Sequence, residues 1–144
     1  MLALLTRTAV RSAGVARRHL TKYTKSHEWV KIDKGVGTIG ITDYAQSSLG
    51  DVVYVEVPEV GAEVTPEEPV GVVESVKSTS DIFSPLTGTI VDANKEVVGN
   101  TKLINKAAET DGWLFKVKFS SEAELDELLS AAEYKKHIAD GGDH

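Results

Sequence analysis

The chain predicts a mainly β protein: a sandwich of short strands with one short internal helix and a helical C-terminal end. Three observations carry that prediction. Short β-branched runs recur between clusters of glycine, proline and acidic residues. The segment "GWLFKVKF", Gly112 to Phe119, alternates, with Trp113, Phe115, Val117 and Phe119 on one face and Leu114, Lys116 and Lys118 on the other. After the first 21 residues, a helical pattern shows in "TDYAQSSLG" and in "SEAELDELLSAAEYKKHI".

Composition bounds the function. Of 144 residues, 41% are hydrophobic and 26% charged, enough for one modest core in a soluble domain. Apolar runs fall short of the roughly 18–20 residues of a membrane span. A net charge of −6 argues against nucleic acid as a partner. With no cysteine, the chain has no disulfide, thiol nucleophile or cysteine metal site. Its four histidines lack the spacing of a zinc ligand set.

The elements follow in order. Residues 1–21 hold Arg7, Arg11, Arg17 and Arg18, and the first carboxylate in the chain is Glu28. On a helical wheel Arg7, Arg11 and Arg18 share one face, opposite Leu2, Leu5, Ala9, Ala16 and Leu20. That pattern reads as a mitochondrial transit peptide, with matrix delivery of residues 22–139 as the folded domain. Its removal takes four arginines, leaving 12 basic against 22 acidic residues and a net charge of about −10.

"HEWVKI" (His27 to Ile32) and "VGTIGI" (Val36 to Ile41) read as paired strands around a "DKG" turn. Gly35, Gly37 and Gly40 spell G-x-G-x-x-G, but they start and fill a strand instead of opening a helix, which argues against a dinucleotide site. The helix at Thr42 to Gly50 has Thr42 or Asp43 as cap and Gly50 as stop. Val52 to Val57, Val70 to Val76 and Gly88 to Val91 are further strands. "AEVTPEEPV" and "KEVVGNTKL" share a Glu-Val step at an offset of 33, which would make them related β units. At the C-terminal end Ser121 and Glu124 are spaced as a capping box, and Leu125, Leu128 and Leu129 as an inward stripe. Residues 140–144 are expected to be a frayed tail.

Between two of these strands stands Lys77, followed by Ser78, Thr79 and Ser80 and flanked by Glu74 and Asp81. A Schiff-base lysine needs a desolvated amine, and an exposed tip between carboxylates offers the reverse. A carrier lysine needs a protruding, rigidly framed turn, and this segment provides one. The remaining alternative is a plain surface lysine.

"GVVESVKSTSDIFSPLTG" resembles the lipoylation segment of the glycine cleavage system H-protein family. "SHEWVK", "GTIGITDYAQSSLGDVVYVEVPEVG", "DGWLFKVK" and "ELDELL" resemble that family too, in the same order from about Tyr23 to Ile138. Biotin carriers typically frame their lysine with methionines. Lipoyl domains of 2-oxoacid dehydrogenases usually place Asp before it and lack "SHEW". The chain departs from the family pattern at Thr101, where proline is common, and at Ala107 to Glu109, where "SPY" or similar is common.

The resemblance implies a flattened β-barrel of the lipoyl/biotinyl-carrier type with a short internal helix and C-terminal helices. It implies lipoic acid in amide linkage to Lys77, and a monomeric, non-catalytic shuttle in the mitochondrial matrix. The implied partners are a pyridoxal-phosphate glycine decarboxylase, a tetrahydrofolate-dependent aminomethyltransferase, an FAD-containing dihydrolipoyl dehydrogenase and a lipoate-attaching enzyme. Gly61, Glu74, Asp81 and Gly88 would shape the surface that the attaching enzyme recognises. A reactive cationic load on the arm calls for an apolar groove with a carboxylate, for which Ser26, Glu28, Ile41, Tyr44 and Asp81 are candidates.

Overall fold

The computed structural model describes residues 20–141. The expected leader, apart from Leu20 and Thr21, lies outside the described residues, as do residues 142–144 of the expected tail. Two antiparallel sheets pack on one core. The larger has the strand order β1-β2-β3-β9-β8-β5, from β1 (Thr21–Tyr23), β2 (Glu28–Asp33), β3 (Val36–Ile41), β5 (Glu63–Val64), β8 (Gly88–Ala93) and β9 (Phe115–Phe119). The smaller is β4-β6-β7, from β4 (Val52–Glu56), β6 (Pro69–Ser75) and β7 (Thr79–Phe83). Val30, Ile39, Phe115 and Val117 of the larger sheet share one core with Val55, Val73 and Ile82 of the smaller. The predicted sandwich is therefore present.

Local chemistry accounts for most elements. Asp33 pairs with Val36, so β2 and β3 are joined by a two-residue loop. Both loop residues, Lys34 and Gly35, have positive φ (52° and 80°), the geometry that matches strand twist. The helix α1 (Asp43–Leu49) starts where the Thr42 side chain accepts from the Ala45 N–H, and it ends at Gly50 with φ 84°. Of the glycines in the G-x-G-x-x-G pattern, Gly35 serves the turn, and Gly37 and Gly40 serve packing. A Cβ at Gly40 would stand 2.7 Å from Cζ2 of Trp29, so only glycine lets that indole lie on the strand.

Several expectations need correction. The C-terminal helix is broken into α4 (Ala123–Asp126) and α5 (Ala131–Ala139). Ser121 and Glu124 form no capping box; the Glu124 carboxylate instead accepts from the Thr87 N–H at 2.8 Å and from the Thr87 hydroxyl at 2.6 Å. The box forms at Ser130 and Glu133. Between the helices the Leu129 backbone exchanges hydrogen bonds of 2.8 and 2.7 Å with Tyr23, so sheet pairing displaces helix there. Leu125 is buried, while Leu128 and Leu129 are half-buried.

The Glu-Val echo is not structural. Glu63–Val64 forms β5, whereas Glu96 and Val97 lie in a helix, α2 (Lys95–Gly99), capped by Asn94. Neither α2 nor α3 (Lys102–Ala107) was legible from the sequence pattern. The alternation at Gly112 to Phe119 holds only from Phe115. Leu114 is buried and Trp113 half-buried, the reverse of the expected faces. Strand β1, at the leader boundary, is a further element the pattern did not reveal.

The two departures from the family pattern are tied down. The Thr101 hydroxyl donates to the Val52 carbonyl at 2.8 Å. The Trp29 indole donates to the Ala108 carbonyl at 3.0 Å, and the Asp43 N–H donates to the Glu109 carboxylate at 2.9 Å.

Candidate functional site

Lys77 is exposed at the tip of the β6–β7 hairpin. The Ser75 N–H donates to the Ser78 carbonyl at 2.7 Å, leaving Val76 and Lys77 as the two central turn residues. The Ser75 hydroxyl accepts from the N–H groups of Lys77 (3.2 Å) and Ser78 (3.0 Å). The Val76 N–H donates to the Asp51 carbonyl at 3.0 Å, anchoring the tip to the loop after α1. Ser75 and the Gly50–Val52 loop therefore hold the backbone while the lysine side chain stays outside. Sequence reasoning missed Ser75; the signal was a serine at the first position of a tight turn.

That loop has its own support. Asn105, on α3, donates to the Gly50 carbonyl (2.9 Å) and the Gln46 side-chain oxygen (3.1 Å), and accepts from the Val52 N–H (2.9 Å). Thr101 completes the set through the Val52 carbonyl.

The Lys77 side chain lies back over the end of α1: a Cβ added at Gly50 would be 3.6 Å from its Cε. Beside it opens a cavity of about 460 Å³. Ile41, Ala45, Leu49 and Ile82 give that cavity an apolar floor, and Ser78, Thr79 and Ser80 of the hairpin form one wall. Its far wall includes Ser26 and His27. Ser26 also lines a second cavity of about 480 Å³, which contains Glu28, Phe83, Pro85, Leu128 and Glu127. Volumes of this size lie within the roughly 300–1,000 Å³ usual for small-molecule pockets.

Glu28 is 2% exposed and fully engaged. Its carboxylate accepts from the Thr24 hydroxyl (2.6 Å), the Ser26 hydroxyl (2.7 Å) and the Phe83 N–H (3.3 Å). Burial pushes its carboxyl above the usual range, against the opposing pull of those three donors.

The remaining candidates are placed as follows. Tyr44 stands beside the cavity, its ring 4.7 Å from that of His27. Asp81 is exposed on β7, cross-strand from Val72, outside both cavities. Glu74 pairs with Tyr54 on one side and Thr79 on the other, so both acids flank the lysine on the smaller sheet. Gly61 has φ 96°, a turn conformation that favours glycine. At Gly88 a Cβ would collide with the Lys118 carbonyl, so close β8–β9 pairing demands glycine there. Ser26, Glu28, Ile41 and the hairpin thus converge around two adjoining cavities, while Gly61, Glu74, Asp81 and Gly88 line neither of them.

The model of the glycine cleavage H-protein family matches residues 21–141. A mitochondrial glycine cleavage system H protein of Oryza sativa subsp. indica is 53% identical over 123 residues, covering 85% of this chain and 75% of that one. A glycine cleavage system H protein of Carboxydothermus hydrogenoformans is 48% identical over 122 residues, covering 85% and 94%. The crystal structure of a glycine cleavage system H protein from Mycobacterium marinum superposes with a TM-score of 0.74 at 35% identity, covering 84% and 98%.

Proposed function

The chain belongs to the glycine cleavage H-protein family, and we propose that Lys77 is its lipoyl attachment site. The protein is a non-catalytic lipoyl carrier that shuttles groups within the glycine cleavage system. The observation that supports Lys77 is its place: an exposed amine on a Ser75-capped turn, beside a cavity with an apolar floor. The fit is one of shape and chemistry, since an aliphatic arm matches Ile41, Ala45, Leu49 and Ile82.

Bound there, a lipoyl group would supply the chemistry: a disulfide able to accept the aminomethyl group of glycine, with loss of the carboxyl as CO2, and to be restored from the dithiol by a separate oxidation. The proposed partners are the glycine decarboxylase, the aminomethyltransferase, the dihydrolipoyl dehydrogenase and a lipoate-attaching enzyme. Glu74 and Asp81 offer that last enzyme carboxylates on either side of the lysine, Gly61 keeps its turn tight, and Gly88 permits close β8–β9 pairing. Ile41 lines the shelter for the arm and Ser26 links its two cavities. Glu28 presents a carboxylate to a cationic load, and Tyr44 supports the wall at His27. Asp81, outside both cavities, serves the surface role. The arginine-rich, acid-poor residues 1–21 support delivery to the mitochondrial matrix.

Intact-mass measurement of the protein from lipoate-replete mitochondria tests the attachment. The expected result is a gain of about 188 Da on the wild type and none on Lys77→Arg. An unmodified wild type sinks the proposal. For the shelter, hydrolysis of the aminomethylated arm is measured in Glu28→Ala; an unchanged rate removes the Glu28 role.

A further inference from the structure

Two sides of the arm cavity, the His27 wall and the floor from α1, come from chain segments that share no regular element, and one distant side chain ties them together. His27, on one wall, is only 3% exposed and has φ 75°, a left-handed conformation that non-glycine residues seldom adopt without outside restraint. On the other side α1 supplies Ala45, Ser48 and Leu49 and is capped by Thr42. The hydroxyl of Tyr134, on α5, lies 2.7 Å from His27 Nδ1 and 2.6 Å from Thr42 Oγ1.

Resting on the shelter proposed above, we infer that Tyr134 is the positioning residue of the arm cavity, a strut by which the C-terminal helix holds His27 and the start of α1 at a set separation.

The bridge is built for that role. Tyr134 is 6% exposed, and its ring stacks on Tyr23 at 4.7 Å and 5°, so the strand β1 holds the ring while the hydroxyl reaches inward. Burial pushes its phenol up to about 12, so the hydroxyl keeps its proton and always offers both a donor and an acceptor. Thr42 carries the restraint into α1, because its Oγ1 also accepts from the Ala45 N–H at 3.2 Å. Its own N–H donates to the His27 carbonyl at 3.0 Å, closing a loop of contacts between the two sides. A second tie, between His137 Nε2 and the Lys25 carbonyl at 3.1 Å, secures α5 to the same turn. Lys77 lies outside this network: the bridge acts at the start of α1, whereas the lysine turn is anchored just after its end.

Two readouts test the strut in the full-length protein. In unmodified protein, Tyr134→Phe removes the hydroxyl and keeps the ring. Amide hydrogen exchange is expected to quicken about tenfold at Thr42 and Ala45, with Ser75 and Val76 unchanged. In lipoylated, aminomethylated protein, the same variant is expected to hydrolyse its load several-fold faster while accepting lipoate at the wild-type rate.

Thr42→Gly deletes the other end of the bridge at little cost to the cap and should reproduce both effects, should Tyr134→Phe fail to fold. Thr42→Ser, which keeps the hydroxyl, should restore wild-type behaviour. Unchanged exchange at Thr42 and Ala45 in Tyr134→Phe overturns the inference, as does, where that variant does not fold, unchanged exchange at residue 42 in Thr42→Gly. So does a protected wild type with equally protected variants. A wild-type arm no better protected than free aminomethylated lipoamide overturns the shelter itself, and the strut falls with it.

Discussion

The lysine hairpin and the arm cavity adjoin, yet they are built in opposite ways. The hairpin is largely local: Ser75 caps the turn within three residues, β6 pairs with its immediate successor β7, and one outside bond ties Val76 to the Asp51 carbonyl. The cavity is assembled from afar. His27 and Tyr134 are 107 positions apart, Thr42 and Tyr134 are 92 apart, and the Glu28 carboxylate meets the Phe83 N–H across 55. A handle need only protrude, and a few neighbouring residues achieve that. A shelter needs walls on several sides, and a chain supplies those only by returning to the same place.

If that division is right, changes at the hairpin alter attachment without altering protection, and changes around the cavity do the reverse. The largest effect is expected at Lys77 itself. Lys77→Arg should abolish lipoyl uptake in a mass assay while urea unfolding stays within about 0.5 kcal/mol of wild type. A large loss of stability would mean that the lysine is part of the packing.

Asn105→Ala is next. It strips the acceptor from the Val52 N–H and the donor from the Gly50 carbonyl, both in the loop that pins Val76. Unfolding should show a loss of about 2 kcal/mol, with slower lipoylation. Wild-type lipoylation despite that loss would separate the loop from the hairpin. Ser75→Ala should cost about 1 kcal/mol and slow lipoylation, leaving hydrolysis of the loaded arm unchanged. Faster hydrolysis in this variant would break the division.

The smallest effect is a pH slope. Burial raises the Glu28 carboxyl, so the folded state favours the protonated form. Its contribution to stability is full below the unfolded carboxyl pKa and is lost as pH rises through the higher folded value. Glu28→Gln removes that loss. Its stability relative to wild type should therefore improve as pH rises through the folded pKa of Glu28, read by urea unfolding across a pH series. A flat difference would show that the three donors cancel the cost of burial.

Much of the molecule was legible because its causes are short-range. The "DKG" turn needs only the positive φ of Lys34 and Gly35, and α1 needs only Thr42 and Gly50 at its ends. Lys77 could be singled out because a polar break between β runs marks a protruding turn. What was not legible depends on competition between distant partners. Leu129 and Glu124 fit a continuous capped helix, but Leu129 pairs with Tyr23 and Glu124 is drawn to Thr87. No local pattern reports such rivals.

The sequence by itself therefore determined most of the longer strands, the tight turns and the exposed lysine, because backbone preference and hydrophobic period act over a few residues. Tertiary structure alone decided that Glu28 is buried and still accepts three hydrogen bonds. It alone brought the Tyr134 hydroxyl between His27 and Thr42. Burial and long-range hydrogen bonds are properties of a closed core, and a core exists only once the whole chain has folded around it.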